Sequence, residues 1–182
     1  MKYLKTYEKM MTLELDIDDQ EELMTKALEY NKINLVKGLL DNGFDPNYIV
    51  THYGVPLLLY QLSDNTTKLD IDILKLLIDK GADVNLMING SPLISGAITL
   101  YHRKSTDKEY RDKYLEAIRL FIKSGADLTA RDDEKENSFD TIQNMIDYGY
   151  FKPIFTKRLL KIIEEEAPEQ YGIYITSKKY NI

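Results

Sequence analysis

The sequence predicts an all-α chain, and three observations carry the prediction. First, Leu35–Leu40, Ile73–Ile78 and Ala117–Ile122 are apolar stretches in one register. Their apolar residues seven, four and three places before a following glycine share one face of a helix. Second, that glycine recurs at the head of Gly43-Phe44-Asp45-Pro46-Asn47, Gly81-Ala82-Asp83-Val84-Asn85 and Gly125-Ala126-Asp127-Leu128-Thr129. Just past a helix end, a left-handed backbone favours the residue without Cβ. Third, Val55-Pro56-Leu57 and Ser91-Pro92-Leu93 open two more apolar helices. Proline is tolerated in a first turn because its missing N–H has no intrahelical partner there, and Ser91 can act as a cap. The unit predicted is helix, short turn, helix, then an extended finger.

Taken in order, Met1–Glu21 forms an N-terminal extension, where Leu4, Tyr7, Met10 and Met11 fit one helix packing on the first unit. Four units follow, at about 22–52, 53–88, 89–133 and 134–166. The first carries Ala27 and Leu28 in its opening helix. The second and third are lengthened between their helices, near Asp64–Leu69 and Arg103–Lys113, where the bland expectation is longer helices joined by an exposed loop. The fourth opens on Ser138-Phe139-Asp140, closes on the helix Leu159–Ile163 and ends in the polar run Glu164–Glu166, as suits a terminal unit. In the tail, 167–182, Tyr171–Ile175 alternates loosely and is expected to be extended or partly disordered.

This unit resembles the ankyrin repeat. The resemblance rests on Pro56-Leu57 and Pro92-Leu93, the leucine-rich second helices, the Gly-x-Asp segments and Asp132, which matches the aspartate of the family's finger. It covers residues 22–166. It implies an ankyrin-repeat solenoid of stacked helix-turn-helix units with extended finger loops. The departures are the two enlarged inter-helix stretches and the family's histidine after Pro-Leu, which is Leu58 in one unit and Ile94 in the next. The turns between units must be held in another way.

Composition fits a soluble globular chain of 182 residues, 43% hydrophobic and 30% charged. Without cysteine there is no disulfide and no thiolate metal site. A net charge of −6 argues against general binding to nucleic acid or to an anionic membrane. Lys2, Lys5, Glu8 and Lys9 interrupt the N-terminus, so neither a signal peptide nor a membrane anchor is expected, and the chain is placed in the cytoplasm.

No catalytic, cofactor or metal site is predicted. The two histidines, His52 and His102, lie in different units, and no phosphate-binding glycine loop or nucleophile elbow occurs. Asp16, Asp18 and Asp19 lack the glycine and terminal glutamate of a calcium loop and read as a solvated acidic linker.

In the ankyrin family the finger tips and first helices build a concave binding face. The resemblance therefore implies a partner-binding set of Tyr48, Ile49, His52, Tyr53, Tyr60, Leu86, Met87, Asn89, Thr99, His102, Arg131, Asp132 and Glu134, with Gln61 and Ser95 on its floor. Tyrosine supplies rigid contact area with a polar tip, and acids select a basic partner. The expected protein is a non-enzymatic, monomeric binding module. Small acidic ankyrin proteins of this style look like immunity or antitoxin partners in bacterial toxin systems, which makes a basic toxin domain the partner expected. The alternatives are a generic adaptor or a secreted effector acting on host proteins, and last an enzyme.

Overall fold

The computed structural model describes residues 16–63, 69–104, 108–149 and 153–180. The chain is mostly helical and divides into two compact units, Met1–Ala82 and Asp83–Ile182. The first contains helices α1 (Ile17–Glu29), α2 (Ile33–Asp41), α3 (Leu57–Leu62) and α4 (Ile71–Asp79). The second contains α5 (Leu93–Lys104), α6 (Lys108–Lys123), α7 (Ser138–Asp147), α8 (Pro153–Glu166) and α9 (Pro168–Tyr180). In the first unit α1 packs on α2 and α3, and α4 packs on α2 and α3. In the second, α5 packs on α6 and α7, α6 on α8, and α8 on α9. The proposed helix at Leu4–Met11 falls outside the described residues, as do 64–68 and 105–107 within the two enlarged stretches. Outside 105–107, the stretch Arg103–Lys113 is helical, supplied by the end of α5 and the start of α6.

The apolar stripes do what their spacing predicts. Val36, Leu39 and Leu40 on α2, Leu74 and Leu77 on α4, and Ile118, Phe121 and Ile122 on α6 are all buried, and Ile78 is half-buried. The three glycines end these helices in one way. Gly43, Gly81 and Gly125 have φ of 92°, 96° and 91°. In each case the glycine N–H donates three residues back and the next N–H five residues back, as with Phe44 to the Leu39 carbonyl at 3.1 Å, Ala82 to Leu77 at 2.9 Å and Ala126 to Phe121 at 3.0 Å. This is the Schellman closure, and its apolar staple is present because both members of each pair are buried.

The residues that follow share a second device. Asp45, Asp83 and Asp127 each accept from the N–H two residues on, at 2.8 Å, to form an Asx turn. The turned-out asparagine then bridges to the next glycine segment. Asn47 Nδ2 donates to the Gly81 carbonyl at 3.1 Å. Asn85 Nδ2 donates to the Gly125 carbonyl at 3.0 Å, and its Oδ1 accepts from Asp127 N at 2.8 Å. At the third segment Thr129 is too short to bridge and bonds back to Asp127. There Gln170 of α9 takes over, accepting from Leu128 N at 2.7 Å and donating to the Ala126 carbonyl at 3.3 Å. These amide bridges tie together segments 34 to 44 residues apart. Asn85→Ala removes both of its bridging bonds, and a loss of about 1–2 kcal/mol in urea unfolding is expected.

Four local expectations are corrected. The first two fingers are β-hairpins, with β1 (Ile49–Val50) antiparallel to β2 (Val55–Pro56) and β3 (Met87–Ile88) antiparallel to β4 (Ser91–Pro92). Pro56 accordingly sits at the N-cap of α3, with ψ 160°, and not inside its first turn. Ser91 pairs within β4 two residues before α5 and does not cap it. The tail, finally, is the helix α9. Its Gln170 and Tyr174 face inward, and Tyr174 stacks on Phe139 of α7 with centroids 4.7 Å apart and planes 8° from parallel. The loose alternation of Tyr171–Ile175 is overridden by this docking.

Candidate functional site

In the first unit the hairpin β1–β2 folds against α1, and a groove of about 430 Å³ opens between them. One wall is α1, with Asp18, Glu21, Glu22, Thr25 and Glu29. Glu21, Thr25 and Glu29 recur at four-residue spacing and so share one helix face. Asp16 starts α1 by accepting from Asp19 N at 2.8 Å, which accounts for the first aspartate as a cap and not a linker. The opposite wall is Val50, Thr51, His52, Tyr53 and Tyr60.

Glu21 fastens the two walls together. Its carboxylate accepts from Tyr48 Oη at 2.5 Å, from Thr51 N at 2.9 Å and from Thr51 Oγ1 at 2.8 Å. Burial works to raise the Glu21 pKa, but the bonds from Tyr48 and Thr51 outweigh it and hold the group below its ordinary value of 4.5. The same bond pushes the Tyr48 phenol up to about 12, with burial adding to it. A carboxylate whose pKa is lower folded than unfolded stabilises the fold above its unfolded pKa, and that contribution is lost as pH falls through the folded value. Glu21→Gln is therefore expected to cost about 1 kcal/mol near neutral pH, the low end for charge-assisted bonds at a partly exposed site. The difference from the parent narrows below pH 4.5, in denaturant curves recorded at pH 7 and pH 3.

The predicted contact residues of this unit have different fates. Ile49, His52 and Tyr53 are exposed, Ile49 by 44% and Tyr53 by 45%. Tyr48 is half-buried, its hydroxyl taken by Glu21. Tyr60 is not a surface residue: it is fully buried, and its hydroxyl donates to Glu29 Oε1 at 2.8 Å. Gln61 is likewise buried. Both sit on α3, a short helix with five of its six residues in the core.

In the second unit Met87 and Asn89 lie exposed at the β3–β4 tip, and Leu86 is half-buried. Asn89 and Gly90 both have positive φ, 49° and 79°, as a two-residue hairpin turn requires. The backbone of the third finger meets this tip, with Asp133 N donating to the Gly90 carbonyl at 3.2 Å. Asp132 turns inward. Its Oδ1 accepts from Glu134 N at 2.9 Å and Glu136 N at 2.8 Å, so its carboxylate is spent on shaping its own loop. Arg131 is exposed and donates to the Lys135 carbonyl, while Glu134 stays exposed. Thr99 and His102 of α5 line a separate cavity of about 300 Å³ with Glu136, Thr141, Asn144, Met145 and Tyr148. Burial lowers the His102 pKa by disfavouring the charged imidazolium. Ser95 is buried, within 2.9 Å of Ser138 Oγ, and forms no floor.

Among the described residues no group of three or more His, Asp or Glu side chains is placed to hold a metal ion, and no helix is long and apolar enough to cross a membrane. The chain matches no protein-family model and no curated protein. The site residues that sequence reasoning missed are the acids of α1. Their signal is the spacing of Glu21, Thr25 and Glu29, which is hidden because the acids before them resemble a solvated linker and Glu21 falls at the edge of the N-terminal extension.

Proposed function

We propose that the protein is a non-enzymatic binding module of the ankyrin-repeat type, acting in the cytoplasm on one specific protein partner, with an immunity- or antitoxin-like role against a basic toxin domain. The observation that carries this reading is the groove of the first unit, where exposed aromatic residues of a hairpin face a wall of carboxylates. Aromatic anchors beside fixed charges are the composition of a binding surface and give selectivity for partners of opposite charge. The threefold Schellman closure, the Asx turns and the asparagine bridges support the repeat reading, because each is a local device that recurs with the Gly-x-Asp motif.

The test is purification of the tagged protein from cells that express it naturally. One basic protein is expected to co-purify in stoichiometric amount, and its own toxicity is expected to fall when the two are expressed together. If no protein co-purifies, or if the partner is acidic and harmless alone, the reading fails.

A further inference from the structure

We propose that Asn89-Gly90 is a site of spontaneous deamidation, at which the β3–β4 tip gains a carboxylate and loosens its hold on the third finger. This modification does not depend on the protein-binding function above.

The reaction needs a side-chain amide, a following peptide nitrogen that can reach it, and water. Glycine in the following position helps, because no Cβ crowds the attacking nitrogen. The sequence contains this pair twice, at Asn42-Gly43 and Asn89-Gly90. The fold treats the two oppositely. Asn42 ends α2, where its Nδ2 donates to the Gly38 carbonyl at 2.7 Å and the Gly43 N–H donates to the Leu40 carbonyl at 3.1 Å. The leaving amide and the attacking nitrogen are both engaged in a helix closure.

Asn89 stands exposed at the β3–β4 tip. With φ of 49° and 79°, Asn89 and Gly90 make a type I′ turn. In that turn the asparagine side chain swings away from the following nitrogen, so the tip must open before a ring can close. The strands beside it are two residues each, with Met87 paired to Pro92 and Ile88 to Ser91. Proline has no N–H to give such a ladder, so local opening of the tip costs little.

In the opened tip the Gly90 nitrogen attacks Asn89 Cγ. The N–Cγ bond forms, the Cγ–Nδ2 bond breaks, and Nδ2 leaves as ammonia with the proton from the Gly90 nitrogen. Water then opens the cyclic imide at either carbonyl. Attack at Cγ gives aspartate. Attack at the backbone carbonyl carbon gives isoaspartate, in which the chain runs through Cβ and Cγ. The sum exchanges ammonia for water, with nothing oxidised or reduced.

The product forms beside an existing charge. A Cβ on Gly90 would collide with the Asp133 carboxylate, which fills the space next to the Gly90 Cα. The Asp133 N–H also donates to the Gly90 carbonyl at 3.2 Å, so this residue clasps the tip through both backbone and side chain. A new carboxylate one residue away repels Asp133. The isoaspartyl link adds a backbone carbon to a turn built for two residues and moves the Gly90 carbonyl out of line. Both changes oppose the clasp. Before the reaction Asp133 acts on the rate instead. Its charge disfavours the anionic nitrogen through which Gly90 attacks.

The test is to age the purified protein in mildly alkaline buffer, folded and in guanidinium chloride, and to follow both asparagines by peptide mass spectrometry. An isoaspartate-specific methyltransferase gives the second readout. In guanidinium the two sites are expected to convert at similar rates. In the folded protein Asn89 should convert about tenfold faster than Asn42 or more, because two hydrogen bonds must open before Asn42 can react. Isoaspartate is the expected main product. Asp133→Asn should speed the folded reaction at Asn89 several-fold and leave the rate in guanidinium unchanged. Amide exchange at Asp133 should accelerate in the aged protein, and by a smaller factor in fresh Asn89→Asp, whereas Asn89→Gln should show no change with age. Equal rates at Asn42 and Asn89 in the folded protein, or an intact Asn89 while both sites convert in guanidinium, overturn the proposal. Conversion at Asn89 with parental exchange at Asp133 overturns the loosening of the third finger.

Discussion

Tyr60→Ala is expected to lower stability by about 3–5 kcal/mol, the range for deleting a large buried ring. Tyr60→Phe should cost about 1 kcal/mol, the net worth of one hydrogen bond. The reason for the asymmetry is where the side chain sits. The side chain is fully enclosed, its ring lies 5.4 Å from the Tyr53 ring, and its hydroxyl donates to Glu29 at 2.8 Å. Burial first, and then the bond to Glu29, raise the phenol's pKa, so it stays a neutral donor across the useful pH range. Removing the ring leaves a cavity that the short helix α3 cannot collapse into. Removing the hydroxyl alone leaves a half-exposed carboxylate that water can reach. Urea unfolding of the two variants separates these outcomes. If Tyr60→Ala retained parental stability and lost only partner binding, the residue would be a surface contact and its burial would have to be given up.

Tyr60 and Tyr53 also show how far the sequence could be read. They are the same residue type, seven positions apart, and the sequence places both on the expected binding face. One is fully buried and the other 45% exposed. Nothing local distinguishes them, because α3 is six residues long and almost wholly buried, so it has no polar face to set a period. The glycine-ended helices were legible for the opposite reason. Their closure depends on φ at one residue and on bonds that reach back five, all within a single turn of chain. The groove depends on bonds between residues 27 to 31 apart, such as Tyr48 to Glu21 and Tyr60 to Glu29. Spacing within α1 announces an acidic face but does not say what stands opposite. Asp132 fails as a contact residue for a related reason: an aspartate in a tight loop has backbone N–H groups closer at hand than any partner.

Tyr174→Ala is expected to cost about 3 kcal/mol, whereas Ile173→Ser, one position away, should change stability by about 0.5 kcal/mol or less. The two substitutions decide between a strand and a helix for the tail. An extended segment places Tyr171, Ile173 and Ile175 on one face, with Tyr174 on the other. A helix places Gln170, Tyr171 and Tyr174 together and turns Ile173 and Ile175 away. In α9 Tyr174 is buried against Phe139, while Ile173 and Ile175 are 61% and 45% exposed. The parallel stack buries both rings and contributes beyond area alone. Its loss should also loosen Gln170, one turn earlier on the same face, which holds Leu128 N and the Ala126 carbonyl. Amide exchange at Leu128 should therefore accelerate in Tyr174→Ala and in Gln170→Ala, and remain at the parental rate in Ile173→Ser. A large loss from Ile173→Ser with a small one from Tyr174→Ala would mean that the tail docks as a strand. The amide pair that closes the third glycine segment would then need another source.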